Sequence, residues 1–326
     1  MNLLKDADID PARLDGKRVA VIGFGNQGRA QALNLKDSGV RVAVGLREGS
    51  LNAAIAEAVG LQVKSVEGAA AWADVVMMLA PDEILGRLYA QIEPHLREGA
   101  ALGFSHGLAI HFQSIVPRGD LDVFMVAPKG PGTALRSLYQ EGKGMIALWA
   151  VAQDRSGTAR ELALAYGRAI GCGRAGLIAS SFAEECEADL FNEAAVVWGA
   201  VPEILIAGYD TLVAGGVAEE VAFLECVGEL KLLAELIEER GIAGMREAIS
   251  NTAELGATLG GRRIVDAGVR QRMVDMLAEI RAGRFAAELS GEESSGYPRL
   301  NAARESAKAL PVERAFNTLR SAQKDA

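Results

Sequence analysis

The chain has 326 residues and 34.3 kDa, which at roughly 100–200 residues per domain suggests two domains and a sizeable buried core. Half of the residues are apolar and 24% are charged, a globular composition that excludes a disordered chain. Acids outnumber bases 43 to 34, for a net charge of -9 with no block of like charge, so the basic face of a nucleic-acid binder is absent.

Three cysteines, Cys172, Cys186 and Cys226, form no CxxC pair and are odd in number, which excludes a disulfide framework. Three histidines are too few for a His-rich metal site. The first residues, MNLLKDADIDPARLDGKR, are mixed in charge and resemble neither a signal nor a transit peptide. No uninterrupted apolar run approaches the roughly 18 residues that span a bilayer. The expectation is a reduced, cytoplasmic protein without membrane or nucleic-acid partners.

Short apolar runs predict strands over Arg18–Gly23, Val40–Leu46, Asp74–Ala80, Ala101–Ser105, Leu121–Ala127, Met145–Val151 and Ala175–Ala179. Most are continuous rather than alternating, as in strands covered on both faces. Helical patterns such as Gly28–Ser38 and Gly157–Ile170 lie between them, so the fold class is α/β with a doubly wound parallel sheet. From Ser181 the character changes. Ser181-Phe182-Ala183-Glu184 fits a capping box, and helical stretches follow at 182–200, 202–214, 217–240, 262–282 and 300–323. Gly and Pro between them, including Gly260-Gly261, Gly291, Pro298 and Pro311, are read as turns. The expected domains are 1–181, the sheet domain, and 182–326, all helical.

Gly23-Phe24-Gly25-Asn26-Gln27-Gly28 follows the first strand and opens a helix, the context a dinucleotide fingerprint requires. Gly23 would make the tight turn, Gly25 would let the backbone reach a pyrophosphate, and Gly28 would let helix and strand pack closely. The pyrophosphate would sit on the positive helix N-terminus. The plainer alternative is a glycine-rich turn that binds nothing. After the second strand the chain reads Leu46-Arg47-Glu48-Gly49-Ser50-Leu51-Asn52. An arginine there accommodates a ribose 2′-phosphate, so Arg47 and Ser50 favour NADP, against a neighbouring Glu48 and against Arg47 as an ordinary surface residue.

Two acid pairs mark the second half. Asp189 and Glu193, and Glu225 and Glu229, are each four apart, so each pair shares a helix face. Glu225 and Glu229 stand in the apolar run VAFLECVGELKLL, where unpaired carboxylates are costly. A hard cation would relieve the repulsion, and an oxygen-only donor set suits Mg²⁺ or Mn²⁺, with four carboxylates for two ions. Solvated helix faces explain the same spacing, which also does not separate Asp189–Glu193 from Glu185–Asp189. His106 in GFSHGL and Lys129 in MVAPKGPG follow predicted strands, where α/β sheets place ligands, or are turn and surface residues. Ser250 can be a helix cap.

Taken together, GFGNQG, LREGS, Pro81-Asp82-Glu83, Ser105-His106-Gly107, VFMVAPKGPG at 123–132, DLFNE at 189–193, FLECVGELK at 223–231 and Ser250 in ISNTAE resemble ketol-acid reductoisomerase over about residues 15–310, in its short form. The resemblance implies a Rossmann-type domain followed by a knotted, helical, dimer-forming domain. It implies Mg²⁺- and NADPH-dependent isomerisation and reduction of 2-acetolactate or 2-aceto-2-hydroxybutyrate in branched-chain amino-acid synthesis. Asp189 would bridge two Mg²⁺, Glu193 would bind one, and Glu225 and Glu229 would serve the second from a partner subunit. Ser250 would contact the substrate carboxylate, and His106 and Lys129 would line the reacting centre. Glu229 or a metal-bound hydroxide would act as base. Phe24, Gly25, Asn26, Gln27, Arg47, Ser50, Asn52, Asp82, Glu83, Ile84, Leu85 and Gly132 would surround the cofactor.

Several positions depart from the family pattern. Asn192 stands for a glycine, Trp198-Gly199-Ala200 for Cys-Gly-Gly, Asn251 for an aspartate, Asn52 for a serine, Arg29 for a histidine and Leu108 for an aromatic. Trp198 falls where the family packs the substrate's alkyl group, so a paralogue acting on another ketol or 2-keto acid is the first alternative. A catalytically silent NADP-binding protein is the second.

Overall fold

The computed structural model describes residues 2–324. The chain forms two compact units divided between Ala188 and Asp189. The first contains a sheet of nine strands among the described residues: β1 (Leu3–Leu4), β2 (Arg18–Ile22), β3 (Arg41–Gly45), β4 (Gln62–Lys64), β5 (Val75–Met78), β6 (Ala101–Phe104), β7 (Asp122–Pro128), β8 (Ala147–Gln153) and β9 (Leu177–Ala179). Their order is β1-β9-β8-β7-β6-β5-β2-β3-β4. The helices are α1 (Asn26–Asp37), α2 (Asn52–Ala58), α3 (Val66–Trp72), α4 (Asp82–Ile92), α5 (Leu108–His111), α6 (Gly132–Gln140) and α7 (Ala159–Ala169).

The continuous apolar runs do become strands covered on both faces. Val19, Ala20, Val21 and Ile22 are buried, as are all seven residues of β7. Each fully buried Val, Leu or Ile contributes about 1.5–3 kcal/mol, so these runs anchor the unit. Strands β4 to β7 are parallel, with β2 flanked by β3 and β5. The strand order therefore reverses beside β2, and crevices open at the carboxyl ends there.

The sheet is mixed rather than wholly parallel. β8 runs antiparallel to β7, pairing Ala147 with Pro128, and β1 runs antiparallel to β9. Residues 129–146 leave and return at the same end of the sheet, closed by Lys129 N–H donating to the Ile146 carbonyl at 2.9 Å. An apolar run reads the same in either direction, so composition did not reveal this reversal.

Helix α8 (Phe182–Phe191) runs through the division between the units. Half of its expected capping box forms: the Ser181 hydroxyl accepts from Glu184 N–H at 3.0 Å, but the Glu184 carboxylate turns to the Ser180 hydroxyl at 2.8 Å. The second unit is helical throughout its described residues: α9 (Ala200–Ala214), α10 (Glu219–Phe223), α11 (Leu230–Ala248), α12 (Asn251–Ile264), α13 (Ala267–Arg281), α14 (Arg284–Ser294), α15 (Pro298–Lys308) and α16 (Pro311–Lys324). Gly260 and Gly261 lie inside α12 and Gly291 inside α14, not in turns. An interior glycine costs a helix only about 1 kcal/mol, so it need not break one. Pro298 and Pro311 do start helices, where a missing N–H costs nothing.

The core of this unit is small, centred on Tyr209, Ala222, Val312 and Ala315, and α11, α12 and α15 bury no residue. Large apolar side chains stay exposed, among them Trp198, Leu224, Leu232 and Leu259. The stretch Phe182–Ala214 is long and apolar enough to cross a membrane by length and composition alone, with 11% of its most apolar window buried. Counting uninterrupted apolar residues missed it, because isolated acids such as Glu203 break a run without lowering a window mean much.

Candidate active site

The Gly23–Gly28 loop joins β2 to α1 as expected. Gly23 has φ 100°, a left-handed conformation that favours glycine, and a Cβ there would lie 2.6 Å from the Leu79 carbonyl oxygen. A Cβ on Gly28 would meet the Gly23 carbonyl at 2.5 Å, whereas one on Gly25 would meet nothing within 4 Å. Strand and helix are therefore in close contact at Gly23 and Gly28, and Gly25 faces open space at the head of α1. No side-chain cap of that helix is found among the described residues, an arrangement that suits its N-terminus to an anion. Gly132 packs against the Asn26 carbonyl with no room for a Cβ, and Asn26 Oδ1 accepts from Thr133 N–H at 2.8 Å. Phe24, Gly25, Asn26 and Gly132 line a cleft of about 750 Å³.

Arg47 and Glu48 are exposed beyond the end of β3. Asn52 is committed to the loop: its Nδ2 donates to the Phe24 carbonyl at 3.2 Å and its N–H to the Ser50 hydroxyl at 3.3 Å. Asp82 and Glu83 lie in the first turn of α4, with Ile84 half-buried beside them. The Leu85 side chain instead belongs to the hydrophobic core.

His106 and Lys129 follow β6 and β7, on the carboxyl edge of the sheet where the glycine loop also lies. They converge on Glu185, a residue the sequence reading left as one of two options for pairing with Asp189. Glu185 is 1% exposed. Its Oε2 faces His106 Nδ1 at 3.0 Å and accepts from Gly107 N–H at 2.8 Å, while Oε1 accepts from Lys129 Nζ at 2.8 Å. Burial alone would raise the Glu185 pKa, but the His106 hydrogen bond and the charges of His106 and Lys129 outweigh it and hold the carboxylate ionised. Burial would likewise lower the His106 pKa; hydrogen bonds to Cys186 and Glu185, with the charges of Glu185 and Asp82, raise it instead. These shifts favour an imidazolium at His106 and a carboxylate at Glu185 beside the Lys129 amine. In that state His106 and Lys129 can donate hydrogen bonds and protons.

Asp189 follows Glu185 by one turn of α8, so their carboxylates share a helix face. Both Glu185 oxygens serve cationic or amide donors, and one ligand atom each of His106, Glu185 and Asp189 lie within 4.8 Å of one another, a grouping that could hold a metal ion. In the second unit Glu193 lies in a π-helical turn, Asn192–Val196. Glu225 lies in another, Leu224–Gly228, with Glu229 directly after it. Neither π turn shows in the sequence pattern, and such turns concentrate at functional sites. Glu225 and Glu229 are exposed rather than buried, and no hydrogen-bond or ion-pair partner of either side chain is found among the described residues. The desolvation expected from their apolar neighbours does not arise, because Leu224 is itself 51% exposed. Ser250 caps α12, its hydroxyl accepting from Ala253 N–H at 3.2 Å.

Comparison with known proteins meets this geometry at both ends. The family model for the acetohydroxy acid isomeroreductase NADPH-binding domain matches residues 13–176, and that for the ketol-acid reductoisomerase C-terminal domain matches residues 182–325. The chain belongs to the ketol-acid reductoisomerase family. It is also similar to the solved structure of an NADH-preferring ketol-acid reductoisomerase from an uncultured archaeon, with 42% identity, 98% of this chain and 99% of that chain covered, and a TM-score of 0.95. More distant matches share the fold alone. One is a semialdehyde dehydrogenase NAD-binding protein from Cupriavidus necator (21% identity, 82% and 98% covered, TM-score 0.62). Another is Plasmodium falciparum pyrroline carboxylate reductase (15% identity, 85% and 99% covered, TM-score 0.53). Ketol-acid reductoisomerases are oxidoreductases with a nicotinamide-nucleotide domain, which accounts for the Gly23–Gly28 loop and the cleft beside it.

Proposed function

We propose that this reductoisomerase converts 2-acetolactate or 2-aceto-2-hydroxybutyrate, with NADPH and Mg²⁺, into 2,3-dihydroxy-3-methyl acids of branched-chain amino-acid synthesis. The observation that carries the reading is the His106–Glu185–Lys129 cluster on the same sheet edge as the glycine loop. The loop fits a dinucleotide, with open space at Gly25 and uncapped N–H groups at α1. Asp189 and Glu193 offer the oxygen donors a hard cation prefers. When bound, Mg²⁺ polarises the carbonyl and balances the charge that moves between adjacent oxygens, and the dinucleotide supplies the hydride.

The chain's own groups then have distinct tasks. Lys129 and His106, held protonated by Glu185, donate hydrogen bonds towards developing oxyanion charge and can return a proton to the new alkoxide. Glu185 keeps both cations in place and thereby limits them to donor roles. Glu229 is then the carboxylate assigned to accept the hydroxyl proton that leaves as the alkyl group migrates. Exposed apolar side chains on the second unit favour a homodimer, with Glu225 and Glu229 completing a partner's site.

Arg47 and Ser50 support NADPH over NADH. The archaeal relative prefers NADH, so NADH use is the second reading, favoured here by Glu48 beside Arg47. Nicotinamide absorbance should fall on mixing the protein with 2-acetolactate, Mg²⁺ and NADPH, more slowly with NADH, and not at all when Mg²⁺ is chelated. Absence of turnover under every condition would overturn the proposal; turnover independent of Mg²⁺ would remove the metal from it.

A further inference from the structure

We propose that Gln31 is a positioning residue that ties the nucleotide-binding helix to the loops carrying His106 and Lys129. Gln31 lies one turn after Gln27 on α1 and is 0% exposed. Its Nε2 donates to Gln27 Oε1 at 3.1 Å and to the Ser105 hydroxyl at 2.9 Å, and its Oε1 accepts from the Tyr166 hydroxyl at 2.7 Å. Gln27 Nε2 donates in turn to the Gly130 carbonyl at 2.8 Å, and the Ser105 hydroxyl donates to the Val126 carbonyl at 2.9 Å. Ser105 precedes His106, and Gly130 follows Lys129.

The direction of every bond in this network is forced. The Gly130 and Val126 carbonyls only accept, so the Gln27 amide must present its nitrogen to Gly130 and its oxygen to Gln31. Gln31 must then donate to Gln27, which leaves its own oxygen for the Tyr166 hydroxyl. One buried amide thus fixes the orientation of Gln27 at the head of α1 and holds both catalytic loops to it.

Stability alone does not call for such an arrangement. Apolar groups of the same shape replace a buried hydrogen-bonded set at little net cost, whereas a partly satisfied network is worse than either. What the amide adds is register: the glycine loop, the Ser105–His106 loop and the Lys129–Gly130 loop cannot shift independently. Reacting groups misplaced by about 1 Å can lose about 10²-fold in rate, so a device of this kind has a catalytic consequence.

The inference rests on the reductoisomerase reading for its kinetic effect, and its test keeps the two apart. Gln31→Met, Gln27→Met and the double variant of the full-length protein are compared for thermal unfolding, NADPH affinity by nicotinamide fluorescence, and turnover of 2-acetolactate with Mg²⁺. Each single variant is expected to fold, to lose about tenfold or more in kcat, and to keep the ketol-acid KM within about threefold. The double variant is expected to lose no more than the worse single, within about twofold, because both act through one network. A folded Gln31→Met with kcat unchanged, or a double variant whose losses multiply, overturns the proposal. If Gln31→Met does not fold, Tyr166→Phe replaces it, deleting only the hydroxyl that orients the amide; a loss of about threefold or more in kcat supports the proposal and unchanged kcat overturns it. Should the wild type not turn over 2-acetolactate, the functional reading fails, and NADPH affinity decides alone. An affinity about fivefold weaker with the same non-additivity supports the network, and unchanged affinity overturns it.

Discussion

Glu185→Gln keeps the shape of the buried side chain and removes its charge. The amide oxygen would stay with Gly107 N–H, which cannot move, and the amide nitrogen would then face the Lys129 ammonium now 2.8 Å from Oε1. Two donors cannot share that contact, so Lys129 is released, and His106 loses the carboxylate that keeps it protonated. Removing one partner of a buried ion pair costs about 3–5 kcal/mol. With 32% of the Lys129 side chain exposed, solvent screens part of the loss, and about 3 kcal/mol is a fitting expectation. At ~2–4 °C per kcal/mol for a unit of this size, Tm should fall by about 6–12 °C. Turnover should fall by about 10²-fold, since both donors leave their positions. Thermal unfolding followed by circular dichroism, and NADPH oxidation with saturating 2-acetolactate, read the two effects. A variant with Tm and kcat both close to wild type would show that Glu185 does not organise this site.

Other substitutions probe separate parts of the account. Gly132→Ala drives a methyl group into the Asn26 carbonyl; overpacking of about 1–3 kcal/mol should weaken NADPH binding roughly tenfold in a fluorescence titration. Asp189→Asn should lose about 10²-fold or more in Mg²⁺-dependent turnover while NADPH affinity stays unchanged, which separates the cation site from the nucleotide site. Asp74 accepts from the Arg18 backbone N–H at 3.0 Å, the Arg18 guanidinium at 2.9 Å and Arg97 at 3.0 Å. Burial raises its pKa, but the Arg18 hydrogen bonds and the Arg18 and Lys17 charges lower it further. Its contribution to stability is therefore complete above the ordinary carboxylate range and lost as pH falls through the depressed value. Acid unfolding of Asp74→Asn should accordingly depend less on pH than that of the wild type.

Much of the first unit is legible in the sequence because its strands are buried on both faces. Residues 75–78 and 122–128 could hardly be anything else. The short edge strand Gln62–Lys64 carries no such pattern, and the reversal at β8 has no local signal. The glycine loop is readable because Gly23 and Gly28 stand where a Cβ would clash with backbone, while Gly25 faces open space. Glu185 is a different case. Nothing in its neighbourhood separates it from Glu184 or Glu187, and only folding brings it to His106, 79 residues away. The π turns at Asn192–Val196 and Leu224–Gly228 are changes of hydrogen-bond register, which side-chain periodicity does not encode. Glu225 and Glu229 sit among apolar residues that suggest burial, but those neighbours are themselves exposed.

The most direct test of the central claim is the carbon skeleton formed from 2-acetolactate with Mg²⁺ and NADPH, read by NMR of the product. The expected product is 2,3-dihydroxy-3-methylbutanoate, in which the methyl group has migrated before reduction. Recovery of 2,3-dihydroxy-2-methylbutanoate, reduced without migration, would contradict it.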